Sequence, residues 1–213
     1  MNELADYLKH RLQQPLPGFT AQRRMGPVRH DGSFMHDITP PHDCKRNAVM
    51  VLLYRDEQTG AYRLILTERS SKMPSHAGEV SCPGGRMQPG ETTFEAALRE
   101  TEEEVGLRPS RLHWLGELSS LYIPVTNNLI YPHISFVEQP GKLIPDPREV
   151  SRIFTPELIS LTKPENLVHE IWTFGDIPMT VPYWTVTPTP LWGATAMILS
   201  ELLDIVAGKI KLG

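Results

Sequence analysis

The stretch Gly85-Arg86-Met87-Gln88-Pro89-Gly90-Glu91-Thr92-Thr93-Phe94-Glu95-Ala96-Ala97-Leu98-Arg99-Glu100-Thr101-Glu102-Glu103-Glu104-Val105-Gly106-Leu107 decides how the rest of the chain is read. It begins as small, polar loop material punctuated by Pro89-Gly90. A helix is predicted from Thr93 to Val105, closed by Gly106 where a left-handed C-terminal residue is wanted. At about 100° per residue, Phe94, Ala97, Leu98, Thr101 and Val105 share one face, which suits docking on a core. Glu100, Glu103 and Glu104 share an adjacent arc through i+3 and i+4 relations, while Glu95 and Glu102 fall toward solvent. Three carboxylates so close repel one another and call for a cation. Hard oxygen ligands select Mg²⁺ or Mn²⁺. The plain alternative is a solvated acidic helix, and the fixed spacing to Gly85, Glu91 and Arg99 argues against it.

Working outward, Leu4, Leu8 and Leu12 recur at helical spacing and predict a short N-terminal helix stopped by Pro15–Pro17. Residues 16–44 read as irregular chain wrapping the domain. Ala48–Tyr54 is a continuous apolar run that fits a buried strand; Asp56–Gly60 is a turn, and Tyr62–Thr67 forms the second arm of a hairpin. Strands are expected at 113–123, 129–137, near 167–173 and 179–186, and a closing amphipathic helix at Trp192–Val206. Strands mixed with a few helices predict α+β or α/β packing in one domain, with residues 1–45 as an N-terminal extension and 46–208 as the domain proper.

The 213 residues suffice for one sizeable core. The formal net charge of −4 and the lack of any Lys/Arg run argue against a nucleic-acid partner. Bound metal would supply positive charge locally for a polyanionic substrate. Two distant cysteines, Cys44 and Cys82, exclude a disulfide framework and the usual structural zinc patterns. The N-terminus lacks a signal-peptide layout, and no apolar stretch approaches the roughly 18 residues of a membrane span. The expectation is a cytoplasmic protein with no membrane partner.

The seven positions Gly85, Glu91, Arg99, Glu100, Glu103, Glu104 and Gly106 stand as G-x5-E-x7-R-E-x-x-E-E-x-G, which resembles the box of the Nudix hydrolases. Thr101 occupies a slot where an aliphatic residue is common, and its methyl group fills the same space. The resemblance implies a mixed central sheet between helices, an α/β/α sandwich, and metal-dependent cleavage of a diphosphate bond. It implies metal ligation by Glu103 and Glu104, and metal binding or water activation by Glu100. It further implies a main-chain carbonyl ligand near Gly84 or Gly85, and a Glu91–Arg99 salt bridge that orients the loop on the helix. A late carboxylate often joins the set; Glu149, Glu138 and Glu170 are candidates, against the plainer reading of each as a solvated charge.

Leu66-Thr67-Glu68-Arg69-Ser70, His76, Gly78 and Pro83-Gly84-Gly85 resemble the additional motif of the coenzyme A pyrophosphatase branch, with Pro74 in place of an Arg and Cys82 in place of a Phe. Leu191-Trp192-Gly193-Ala194-Thr195-Ala196 is similar to the segment that opens that branch's last helix. The substrate so implied is coenzyme A or a derivative, cut to 4′-phosphopantetheine and 3′,5′-ADP. Arg69 is the candidate phosphate-binding residue, set against a structural ion pair to a nearby Glu; His76 reads more readily as a packing residue. Alternatives are another nucleotide diphosphate derivative (ADP-ribose, a dinucleoside polyphosphate, a nucleoside triphosphate) or a non-catalytic ligand-binding module.

Overall fold

The computed structural model describes residues 3–29, 39–72 and 77–209. The apolar run after Cys44 forms β2 (Lys45–Arg55), following α1 (Glu3–Arg11), α2 (Phe19–Gln22) and β1 (Val28–Arg29). Along β2, Ala48, Met50 and Leu52 enter one core, while Val51 and Leu53 enter the other. Alternation with both faces buried explains why the run is continuously apolar. Its hairpin partner is β3 (Tyr62–Arg69), and Asp56 accepts hydrogen bonds from the backbone N–H groups of Gln58 and Thr59 within the turn.

Short strands β4 (Val80–Ser81) and β5 (Gly84–Arg86) precede α3 (Thr93–Val105). Then come β6 (Leu112–Glu117), β7 (Leu121–Ile123), β8 (Asn128–Val137), β9 (Val150–Phe154), β10 (Leu167–Phe174), β11 (Ile177–Trp184) and α4 (Gly193–Val206). The main sheet runs β4-β3-β2-β8-β6, with β5 on β2, β7 on β8 and β9 on β3. The β2–β8 pair is parallel and the other pairs are antiparallel, so the sheet is mixed. Strands β1, β11 and β10, in that order, form a second, antiparallel sheet.

Helix α3 covers one face of the main sheet: Ala96, Ala97 and Val105 pack with Met50, Leu52 and Ile65. Helices α1 and α4 cover the other, where Leu4, Leu8, Met197, Leu199 and Leu202 join Val51, Leu53, Leu64 and Leu66. The fold is the expected α/β/α sandwich. Glu201 of α4 is fully buried in this second layer. It accepts hydrogen bonds from Gly18 N (2.9 Å), Gln22 Nε2 (2.9 Å), Ser119 N (3.1 Å) and Ser119 Oγ (2.6 Å).

Three expectations are corrected. Residues 16–44 are not uniformly irregular, since α2, a 3₁₀ turn at Arg23–Met25 and β1 lie there. The expected single strand at 113–123 breaks into β6 and β7. Its ladder to β8 shifts register between Trp114 and Gly116, where Leu12 sits 2.9 Å from the place a Gly116 Cβ would occupy. Strand β9 forms between the strands expected at 129–137 and 167–173, where none was expected, because its backbone pairs with β3.

Candidate active site

Helix α3 presents its carboxylates from well-defined ends. Thr92 caps the N-terminus by accepting from Glu95 N, while the Glu95 side chain accepts from Thr92 N at 2.8 Å. Glu95 thus has a structural task, the reciprocal capping box. Gly106 takes the left-handed conformation at φ 73° and stops the helix one residue after Val105. Thr101 is buried and donates its hydroxyl to Ala97 O at 2.7 Å, so both its methyl and its oxygen are accommodated.

The loop before the helix is held by Arg99. Its guanidinium donates to Glu91 through Nε (2.7 Å) and Nη2 (3.2 Å), to Glu100 through Nη1 (2.7 Å), and to Arg86 O (3.1 Å). A planar fork serving two carboxylates and a carbonyl ties loop to helix in one geometry. Those hydrogen bonds draw Glu91 below its ordinary range. Glu103 joins the same guanidinium at 3.2 Å, and its side chain is 54% exposed.

Glu104 points the other way. Its side chain is 3% exposed, with Arg69 Nη1 3.9 Å from Oε1 and Gly84 N donating to Oε2 at 3.3 Å. Burial first, then the nearby Glu100 carboxylate, pushes its carboxyl up to about 8, with Arg69 acting in the opposite sense. Glu100 is likewise raised, mainly by burial and despite Arg99. Carboxyl oxygens of Glu100, Glu104 and Glu149 all lie within 4.8 Å of one another. Glu149 comes from the turn before β9, where Asp146 N donates to Glu104 O at 3.2 Å and Ser70 N donates to Glu149 O at 2.7 Å. That loop is therefore docked on the C-terminal end of α3 and on the end of β3.

Gly85 closes the site from the strand side. A Cβ there would stand 2.6 Å from the Glu100 carboxylate, and one on Gly84 would stand 2.4 Å from Ala48 O. Glycine at both positions lets backbone approach where a side chain would collide. Cys82, in the slot of the expected Phe, is buried among the α4-side core residues; burial, then Glu104, pushes its thiol up to about 12.

The structure thus gathers Glu100, Glu104, Gly85 and Arg69, sets Glu103 on Arg99 at the rim, and adds Glu149. The other two late candidates lie elsewhere. Glu138 sits 3.9 Å from His113, and Glu170 accepts from Trp172 Nε1 (2.9 Å) and Tyr183 OH (3.3 Å). Pro74 and His76 lie outside the described residues. The donor set suits a hard divalent cation: three carboxylates converge, two of them with raised pKa, and glycine backbone leaves room beside them.

The sequence profile described as the NUDIX domain matches residues 45–174, from the start of β2 to the end of β10. The chain belongs to the Nudix family. Among curated proteins it is similar to Nudix hydrolase 3 of Caenorhabditis elegans, 36% identical over 124 residues, which are 57% of this chain and 52% of that protein. It is also similar to the mitochondrial coenzyme A diphosphatase NUDT8 of Homo sapiens, 33% identical over 153 residues, covering 70% of this chain and 64% of that one. The chain thus spans between about half and two thirds of the length of these two relatives. The MutT/nudix family protein from Enterococcus faecalis shares the Nudix fold at a TM-score of 0.54 with 16% identity, over 97% of this chain and 74% of that one. Among the described residues, no helix is long and apolar enough to cross a membrane.

Proposed function

We propose that this Nudix protein is a metal-dependent pyrophosphohydrolase acting on coenzyme A or a derivative, releasing 4′-phosphopantetheine and 3′,5′-ADP. The convergence of Glu100, Glu104 and Glu149 within 4.8 Å carries the reaction class. Mg²⁺ or Mn²⁺ bound there supplies a Lewis acid for the diphosphate and acidifies water at neutral pH. Glu100, Glu104 and Glu149 hold it, with the backbone at Gly85 alongside, and Glu103 stands at the rim within the same acidic arc. The Glu91–Arg99 clamp keeps loop and helix in register. Arg69 offers guanidinium donors to a substrate phosphate from the edge of the cluster.

The substrate reading is supported by the Leu66-Thr67-Glu68-Arg69-Ser70 and Pro83-Gly84-Gly85 segments and by the name of the human relative. Purified protein incubated with coenzyme A and Mg²⁺ or Mn²⁺ should yield both products by chromatography. Absence of 3′,5′-ADP, with turnover of ADP-ribose, a dinucleoside polyphosphate or a nucleoside triphosphate in a parallel panel, would move the specificity to that substrate. No turnover of any member would favour the ligand-binding module.

A further inference from the structure

Glu68 and Arg69 are neighbours at the end of β3 and face opposite layers. Leu64 and Leu66 point into the α4-side core and Ile65 into the α3-side core, so alternation sends Glu68 toward α4 and Arg69 toward Glu104. Glu68 therefore stands behind the carboxylate cluster, across the strand from it. Its carboxylate is well occupied there. Thr189 Oγ1 donates to Oε1 at 2.6 Å, Ser151 Oγ donates to Oε2 at 2.7 Å, and Arg152 Nε lies 3.8 Å away.

Ser151 is a special residue of β9. Glu68 pairs with Arg152 but Arg69 pairs with Val150, so Ser151 is the extra residue of a β-bulge. Bulges bend a strand and re-aim the side chains beside them. Two residues before this one stands Glu149, fixed on its own side of the bulge by the hydrogen bond from Ser70 N. The Glu68 carboxylate grips the bulge itself. Its second oxygen grips the Thr187-Pro188-Thr189-Pro190 segment that leads toward α4.

We propose that Glu68 is a positioning residue: by pinning the bulged Ser151 and Thr189 it orients the start of β9 and sets the Glu149 carboxylate against Glu100 and Glu104. The inference rests on the metal-site reading given above. Partners that orient ligands typically change metal affinity by about 10–100-fold when removed.

The test titrates metal-free protein with Mn²⁺ and follows the electron paramagnetic resonance signal of free Mn²⁺, with thermal melts run in parallel. Glu68→Ala, Ser151→Ala and Glu149→Ala are each expected to weaken Mn²⁺ binding about 10-fold or more. The double variant Glu68→Ala/Glu149→Ala is expected to bind no more weakly than Glu149→Ala alone, because the first residue acts through the second. Ser151→Ala removes only a hydroxyl and carries the test if Glu68→Ala does not fold. If folded Ser151→Ala and Glu68→Ala bind Mn²⁺ like the parent while Glu149→Ala is weakened, or if the losses add in the double variant, the positioning role is overturned and the metal site stands. If Glu149→Ala itself binds Mn²⁺ like the parent, both fall together.

Discussion

Arg69 Nη1 lies 3.9 Å from Glu104 Oε1, a cation set beside the most buried carboxylate of the cluster. At that distance the pair is a loose ion contact rather than a short hydrogen bond. The guanidinium thus retains donors for a second anion. Arg69→Met is expected to raise KM for the diphosphate substrate about tenfold, the loss of one charged hydrogen bond of about 1.5 kcal/mol. Steady-state kinetics check this. An unchanged KM with a lowered melting temperature would reduce Arg69 to a structural partner of Glu104.

The three converging carboxylates and the rim carboxylate separate experimentally. Glu104→Gln, Glu100→Gln and Glu149→Gln are expected to lower kcat on the order of 10²–10³-fold, with the protein still folded. Glu103→Gln is expected to lose less, because that side chain is half exposed and bonded to Arg99. Measuring kcat at saturating Mn²⁺ ranks them. An equal loss in Glu103→Gln would mean that this side chain leaves Arg99 when metal arrives.

His133 on β8 predicts how stability depends on pH. It is fully buried, neither ring nitrogen has a hydrogen-bond partner, and Glu117 Oε1 lies 3.7 Å from Nδ1. Burial, only partly opposed by Glu117, holds its pKa below the ordinary histidine value of 6.5. The unfolded chain therefore takes up the proton first as pH falls. This contribution to stability is complete above about pH 6.5 and is lost progressively below it, until the folded form protonates as well. Glu104, raised to about 8, contributes a slope of the opposite sign over part of this window in both proteins, so the His133 contribution is read as a difference. Urea unfolding from about pH 5 to about pH 8 should show the parent gaining stability relative to His133→Leu as pH rises toward about 6.5, and a constant difference would exclude His133 as the cause.

Glu201 offers a stability test away from the cluster. Glu201→Ala leaves Gly18 N and Ser119 N without their acceptor inside the protein, and leaves the Gln22 amide with only its bond to Ser119 O. Leaving a buried donor without its acceptor costs about 1–3 kcal/mol each, so the loss is expected to be about 2 kcal/mol or more. Denaturant midpoints at constant m should register that loss. A shift below about 1 kcal/mol would mean that water replaces the carboxylate, as it does for an ordinary exposed hydrogen bond.

Legibility in the sequence followed the range of the interactions. Helix α3 could be read from Thr93 to Val105 because its period, its glycine stop and its carboxylate arc are all local. The two-sided burial of β2 was visible as an unbroken apolar run for the same reason. Glu149 could not be singled out from Glu138 and Glu170, since what distinguishes it is the docking of its turn on Glu104 O and Ser70 N. The five-residue β9, Val150-Ser151-Arg152-Ile153-Phe154, is too short to announce itself and carries no strict alternation; β3 supplies its register from far away in the chain. Helix α2 has four residues, less than the span over which periodicity accumulates. The burial of Glu104 also escaped helical arithmetic, which places a side chain on an arc but does not say what lies across from it.

The parallel pairing of β2 with β8 has a kinetic consequence. It joins Lys45 to Asn128 and continues to Tyr54 and Val137, so a long loop containing β3, α3 and β6 must close before the ladder forms. Such non-local pairings are slow to reach, because their closure entropy is spent before contacts repay it. Glu149 lies beyond β8 in the chain, so a search in which the local helix α3 forms first brings the α3 carboxylates together before Glu149 and the sheet are in place. A folding chain therefore carries a helix of mutually repelling glutamates for most of its search, and divalent cations should speed the final approach more than the early collapse.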